Sequence, residues 1–193
     1  MPVTAPGKEG IWLLLAALLG MRLAYQRDRF VLEACSPAAF TGVAGTVVLG
    51  TRLAIGNYRT AAAALLVVAG ICWAVLVVPV LRHWKTPTVG TTFVLSVATA
   101  GLAELGATLA VSYRTGWLVS AAVAALVLGL ALYVFIAARF DLRELITGHG
   151  DHWITGGALA ISAVAAGHVT QAAAALGRFS GHHQALTTST RAP

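Results

Sequence analysis

Between Pro37 and Gly177 the chain is built from five apolar blocks, each close in length to the thickness of a bilayer, and this pattern fixes the solvent first. Thr60 to Leu81 and Thr91 to Ser112 are 22 residues long, Gly116 to Ala138 is 23 and Trp153 to Gly177 is 25. Pro37 to Ala54 has 18 residues, and Ile55 and Gly56 extend it. A transmembrane helix needs roughly 20 apolar residues. In hydrocarbon the backbone must satisfy its own N–H and C=O groups. The expected fold is therefore all-α, a polytopic transmembrane helical bundle with spans near 37–56, 60–81, 91–112, 116–138 and 153–177. Residues 1–36 then form an N-terminal cytoplasmic or interfacial segment, and 178–193 a polar tail.

Composition points the same way. The chain is 58% hydrophobic and 10% charged, against roughly 25% charged in an ordinary soluble domain. A net charge of +6 raises the question of nucleic acid, but the bases form no run and no aromatic-flanked patch. They punctuate the spans, as topology determinants do, so the implied partner is membrane lipid and not nucleic acid. Cys35 and Cys72 make no CxxC pair or disulfide framework.

With five spans, Lys8, Arg22, Arg27, Arg29, Arg82, Lys85, Arg139 and Arg143 share one side, and Arg52, Arg59, Arg114, Arg178 and Arg191 the other. The excess places the N-terminus in the cytoplasm of a cell that carries this protein in its plasma membrane. Ile11 to Met21 is apolar but short and is followed by Arg22, Arg27 and Arg29, so it reads as an interfacial helix. Tyr58, Trp84, Tyr113, Trp117 and Trp153 lie at the proposed span ends, where amphipathic rings prefer to sit. Trp73 falls in mid-span and is expected to pack against a neighbouring helix. Asp141 and Glu144 have capping-box spacing, which predicts a short helix between spans four and five.

Odd and even spans differ in kind. Span one carries Gly42, Thr46 and Gly50 at four-residue spacing, a small-xxx-small stripe that lets another backbone approach. Span three places Ser96, Ala100, Glu104, Thr108 and Ser112 at the same spacing. Span five adds Gly156, Ala160, Ala163 and Gly167, with His168 at the edge of the stripe. Spans two and four hold no ionisable group apart from Cys72 and Tyr133. The expectation is that odd spans face an interior and even spans face lipid. Glu104 lies near the middle of its span, where a bare charge is costly and needs protonation, a partner or water. It is either a pathway carboxylate or a buried acid bonded to a neighbouring helix, and His168 is a candidate partner.

His149, Asp151 and His152 offer metal-ligand atoms without a fourth ligand at suitable spacing. No Walker A, HExxH, GxSxG or GxGxxG pattern appears, so neither an enzyme nor a cofactor is expected.

SPAAFTGVAGTVVLGTRLA, residues 36–54, and ARFDLRELITGHGDHWITGGALAIS, residues 138–162, resemble the first helix and the fifth-helix region of the tellurite-resistance/dicarboxylate transporter family. That family includes tellurite-resistance permeases, malate and sulfite transporters, and the slow anion channels of guard cells. The resemblance covers about residues 30 to 180 and implies hairpins whose odd helices line a pore. It implies a pore side that includes Gly42, Gly45, Thr46, Ser96, Glu104, Thr108 and Gly156, with His168 nearby, and a small anion such as a C4-dicarboxylate, tellurite or sulfite as substrate. Five spans correspond to the N-terminal half of such a transporter, which would pair with a second copy or a complementary half. The alternative is a membrane subunit that does not transport and serves as an interaction partner.

Overall fold

The computed structural model describes residues 17, 18, 21, 37–82, 90–140 and 153–189; of 38 and 178–189 it describes the backbone alone. The architecture is all-α. A 3₁₀ turn at Pro37–Ala39 leads into α1 (Phe40–Ile55), followed by α2 (Arg59–Arg82). A second 3₁₀ turn at Gly90–Phe93 leads into α3 (Val94–Tyr113), then α4 (Gly116–Ala137) and α5 (Trp153–Ser189). Arg59–Arg82, Gly90–Tyr113, Gly116–Ala137 and Trp153–Gly177 are each long and apolar enough to cross a membrane, which marks the chain as membrane-embedded. α1 is shorter, at 16 residues. It spans about 24 Å at 1.5 Å per residue, and the preceding 3₁₀ turn adds about 6 Å.

The two hairpins close in the same way. Asn57 and Arg114 take up left-handed conformations, with φ of 67° and 54°. The amides that follow them, of Tyr58 and Thr115, donate back to Leu53 O and Ala110 O at 2.9 and 3.1 Å. This satisfies carbonyls that a helix end otherwise leaves open. Arg59 reinforces the end by donating from Nη1 to Ser112 O at 3.1 Å and from Nε to Asn57 Oδ1 at 3.0 Å.

α3 is the centre. It packs against each of the other four helices, and Leu95, Ala98, Ala103, Leu105, Ala107 and Ala110 are fully buried. α1 and α5 flank it, α2 fills the seam between α1 and α3, and α4 the seam between α3 and α5. The result is an inner row of odd helices backed by an outer row of even ones. The even helices touch it through narrow stripes, Ala62, Ala69 and Val80 on α2 and Ala122, Gly129 and Ile136 on α4. Elsewhere they expose large apolar side chains such as Val67, Ile71, Val75, Val127 and Val134, as a lipid-facing surface requires.

Close approach uses glycines. A Cβ added to Gly129 would stand 3.2 Å from Ala100 N and 3.5 Å from Ser96 O. One added to Gly50 would stand 2.6 Å from Leu105 Cδ2, and one added to Gly101 would stand 3.1 Å from Val47 Cγ1. α2 is held by a polar contact as well: Trp73 Nε1 donates to Thr99 Oγ1 at 2.9 Å, and that hydroxyl donates to Leu95 O at 2.7 Å. The expectation that Trp73 packs on a neighbouring helix thus acquires a specific partner.

Three expectations change. α5 does not stop at Gly177; its backbone stays helical through Ser189, so the polar tail begins inside a helix. No proline falls between Trp153 and Ser189 to end the helix. The small-residue stripe of span five is not the buried one: α5 buries Ala158, Ser162, Ala165, Val169 and Ala172, while Gly156, Ala160 and Ala163 are exposed. Of the odd helices, only α3 is interior on most of its surface. Of the apolar block Ile11 to Met21, the described residues Ala17, Leu18 and Met21 are helical and exposed. The helix expected around Asp141, the candidate ligands His149, Asp151 and His152, and Cys35 and Trp84 lie outside the described residues.

Candidate functional site

The site starts from a gap in the packing around α3. α1 and α5 each pack on it but make no substantial contact with one another. Along α3 the half-buried residues Val97, Glu104 and Thr108 recur at seven and four residues, so they share one helical face. That face looks out between the flanking helices. Its floor is held by Gly101 against Val47 of α1, and its α5 side by Ala103 and Ala107 clustered with Val169 and Ala172.

Glu104 sits in this gap next to His168. His168 Nδ1 lies 3.9 Å from Glu104 Oε1, within ion-pair reach and beyond hydrogen-bond distance, with side-chain exposures of 35% for the His and 18% for the Glu. Both residues lie nine positions before the upper ends of their spans, Tyr113 and Gly177. At 1.5 Å per residue that places them about 14 Å from that end, near the middle of the hydrocarbon. His168 Nδ1 is also 3.1 Å from Val164 O, so in the tautomer that carries a proton on Nδ1 that proton is donated to the backbone carbonyl and not to the carboxylate. Among the described side chains Glu104 is the one carboxylate and His168 the one imidazole. The pairing of these two residues, a candidate in the sequence, is what the fold brings together.

The other candidates are distributed more widely. Thr108 shares the face of Glu104, and its hydroxyl donates to Glu104 O at 2.9 Å. Ser96 does not join them: it is fully buried, donates to Phe93 O at 2.8 Å, and its carbonyl meets Gly129 of α4. Eight residues on a helix turn through about 800°, which leaves Ser96 roughly 80° away from Glu104. Gly42, Gly45 and Gly156 front open space, with no neighbour within 4 Å of an added Cβ. Thr46 turns its hydroxyl to Gly42 O at 2.8 Å and is half-buried. Val97 and Gly101, which share the gap, carry no polar group and escape a reading based on polar residues. Their seven- and three-residue offsets from Glu104 were the available signal.

Arg52, Arg59 and Arg114 gather at the upper end of the bundle by topology, and all three are exposed. At the lower end Arg82 closes α2 and Arg139 stacks over the Phe135 ring at 3.8 Å. Nearby, Phe93 packs against Tyr133 and Phe140, with centroids 5.2 and 5.8 Å away. Among the described residues no group of three or more His, Cys, Asp or Glu side chains comes together. No family model, no curated protein and no solved structure matches this chain.

Proposed function

We propose that the chain is a membrane carrier or channel for small anions, with the solute passing along the face of α3 between α1 and α5. The observation that carries this reading is Glu104 with His168, a pair of ionisable groups at mid-membrane depth, partly exposed in a gap of an otherwise apolar bundle. Ionisable side chains at this depth are costly and mark solute or proton pathways by default. Arg52, Arg59 and Arg114 put exposed positive charge at the upper end of the bundle, and positive charge at an entrance raises the local concentration of anions. The sequence resemblance supplies the substrate class, a C4-dicarboxylate or an oxyanion. The N-terminus is cytoplasmic in this reading, and the host membrane is the plasma membrane.

The test is uptake of labelled succinate and sulfite by liposomes that hold the purified full chain. Uptake above that of empty liposomes, reduced by Glu104→Gln, is the expected result. No uptake of either anion would sink the proposal. A second reading, a non-transporting membrane subunit, is favoured by Gly42, Gly45 and Gly156, which front open space as small residues at a helix–helix interface do. Pull-down of a stoichiometric partner together with absent flux would select it.

A further inference from the structure

We infer that Glu104 and His168 form a proton-carrying pair, so that each anion moves together with a proton. This rests on the proposed carrier reading and adds a second transported species to it. A carboxylate beside an imidazolium is neutral overall, and so is a carboxylic acid beside a neutral imidazole. The pair therefore tolerates the apolar interior in either form without a third charged group.

Among the described residues no such third group reaches it. Of the elements packed against α3, α1 carries Arg52 in its last turn and α2 carries Arg59 and Arg82 at its two ends. Cys72 on α2 is exposed, and Tyr133 on α4 packs against Phe93. α5 contributes His168 alone among its described side chains. The two groups also remain within reach of the gap, and the carboxylate, 3.9 Å from Nδ1, is not locked by a hydrogen bond to the imidazole.

One added proton then has a defined effect. Taken up on a Glu104 carboxylate oxygen while the imidazolium stays charged, it leaves the pair with net charge +1. In that form it holds an anion in the gap by direct Coulomb attraction, which is strong where water is sparse. Loss of the same proton to the opposite side returns the pair to neutrality, and the anion leaves with it. One proton thus crosses with each anion: with a monovalent anion no net charge moves, and with the succinate dianion one negative charge moves.

The experiment follows both species at once. Liposomes that contain the full chain and a trapped pH-sensitive dye are given an inward succinate gradient. The expected result is acidification of the lumen in step with succinate uptake, and a loss of about a hundredfold in proton rate for Glu104→Gln and for His168→Gln. Succinate uptake without acidification overturns the coupling and leaves the carrier intact. Acidification abolished by both variants but without succinate movement supports the pair and removes the anion carrier. Absence of both fluxes overturns both. A wild-type measurement covers variants that do not fold. Dicyclohexylcarbodiimide, which attacks protonated carboxyl groups in apolar settings, should modify Glu104 by peptide mass spectrometry and stop the proton flux in parallel. Full modification with unchanged proton flux overturns the pair.

Discussion

Gly129 and Gly70 sit in the outer helices α4 and α2, in similar apolar surroundings, yet the fold gives them opposite tolerances. A Cβ on Gly129 would lie 3.2 Å from Ala100 N and 3.6 Å from Ala100 Cα, so even alanine requires α3 and α4 to separate by a few tenths of an ångström. Leucine adds three more carbons against a backbone that cannot rotate away. Overpacking of this kind costs about 1–3 kcal/mol. Gly70 has nothing within 4 Å of its added Cβ, and a leucine there extends the lipid-facing surface. For a chain of this size, 2 kcal/mol corresponds to roughly 4–8 °C in Tm. The assay is the thermal midpoint of each purified variant in one mild detergent, with monodispersity checked by size exclusion. Gly129→Leu should fall by several degrees and Gly70→Leu should stay within a degree or two of wild type. Equal midpoints for the two variants, or a lower one for Gly70→Leu, would refute the placement of α4 on α3.

Other expectations follow from the same contacts. Trp73→Phe removes the donor to Thr99 Oγ1 and should cost about 0.6–2 kcal/mol, with the coupling read from a double-mutant cycle against Thr99→Val. Thr51 Oγ1 is buried without a hydrogen bond, so Thr51→Val, which keeps the shape and removes the orphan hydroxyl, should raise Tm; a fall would show that this hydroxyl is satisfied. Gly50→Leu should destabilise the protein through Leu105, whereas Gly42→Leu and Gly156→Leu should leave the monomer's Tm unchanged and weaken only an association that uses those faces. For topology, single cysteines at 147 and 185, in a background without Cys35 and Cys72, are treated with an impermeant thiol reagent in intact cells. Labelling at 185 alone is expected, and labelling at 147 alone would invert the orientation.

The spans were legible because length and hydropathy are one-dimensional signals: helices at Arg59–Arg82 and Gly116–Ala137 begin and end within a residue of the expected blocks. The rotation of each helix was not legible. Spans one, three and five carry small residues on several faces, so mixed three- and four-residue spacing picked out Gly156, Ala160, Ala163 and Gly167, whereas the buried stripe is Ala158, Ser162, Ala165, Val169 and Ala172. A strict four-residue step also drifts about 40° at each repeat, which is why Ser96 leaves the face of Glu104. Gly129 gave no polar or periodic sign of its own and Gly101 only its three-residue offset from Glu104, and their role appears only when Ala100 and Val47 stand opposite them. Glu104 was conspicuous because an acid in an apolar span is rare, and the same rarity made His168 its natural partner.

In the proposed carrier the gap beside Glu104 is a path for water and anions. Its most direct test is the reaction rate of a charged, membrane-impermeant methanethiosulfonate with Thr108→Cys in reconstituted protein lacking the native cysteines, compared with Val127→Cys. Val127 is 60% exposed and faces outward on α4, while Thr108 is half-buried on the face of Glu104. Cys at 108 is expected to react readily and more slowly with succinate present, while Cys at 127 stays inert because lipid covers it. Labelling at 127 with none at 108 would contradict such a path.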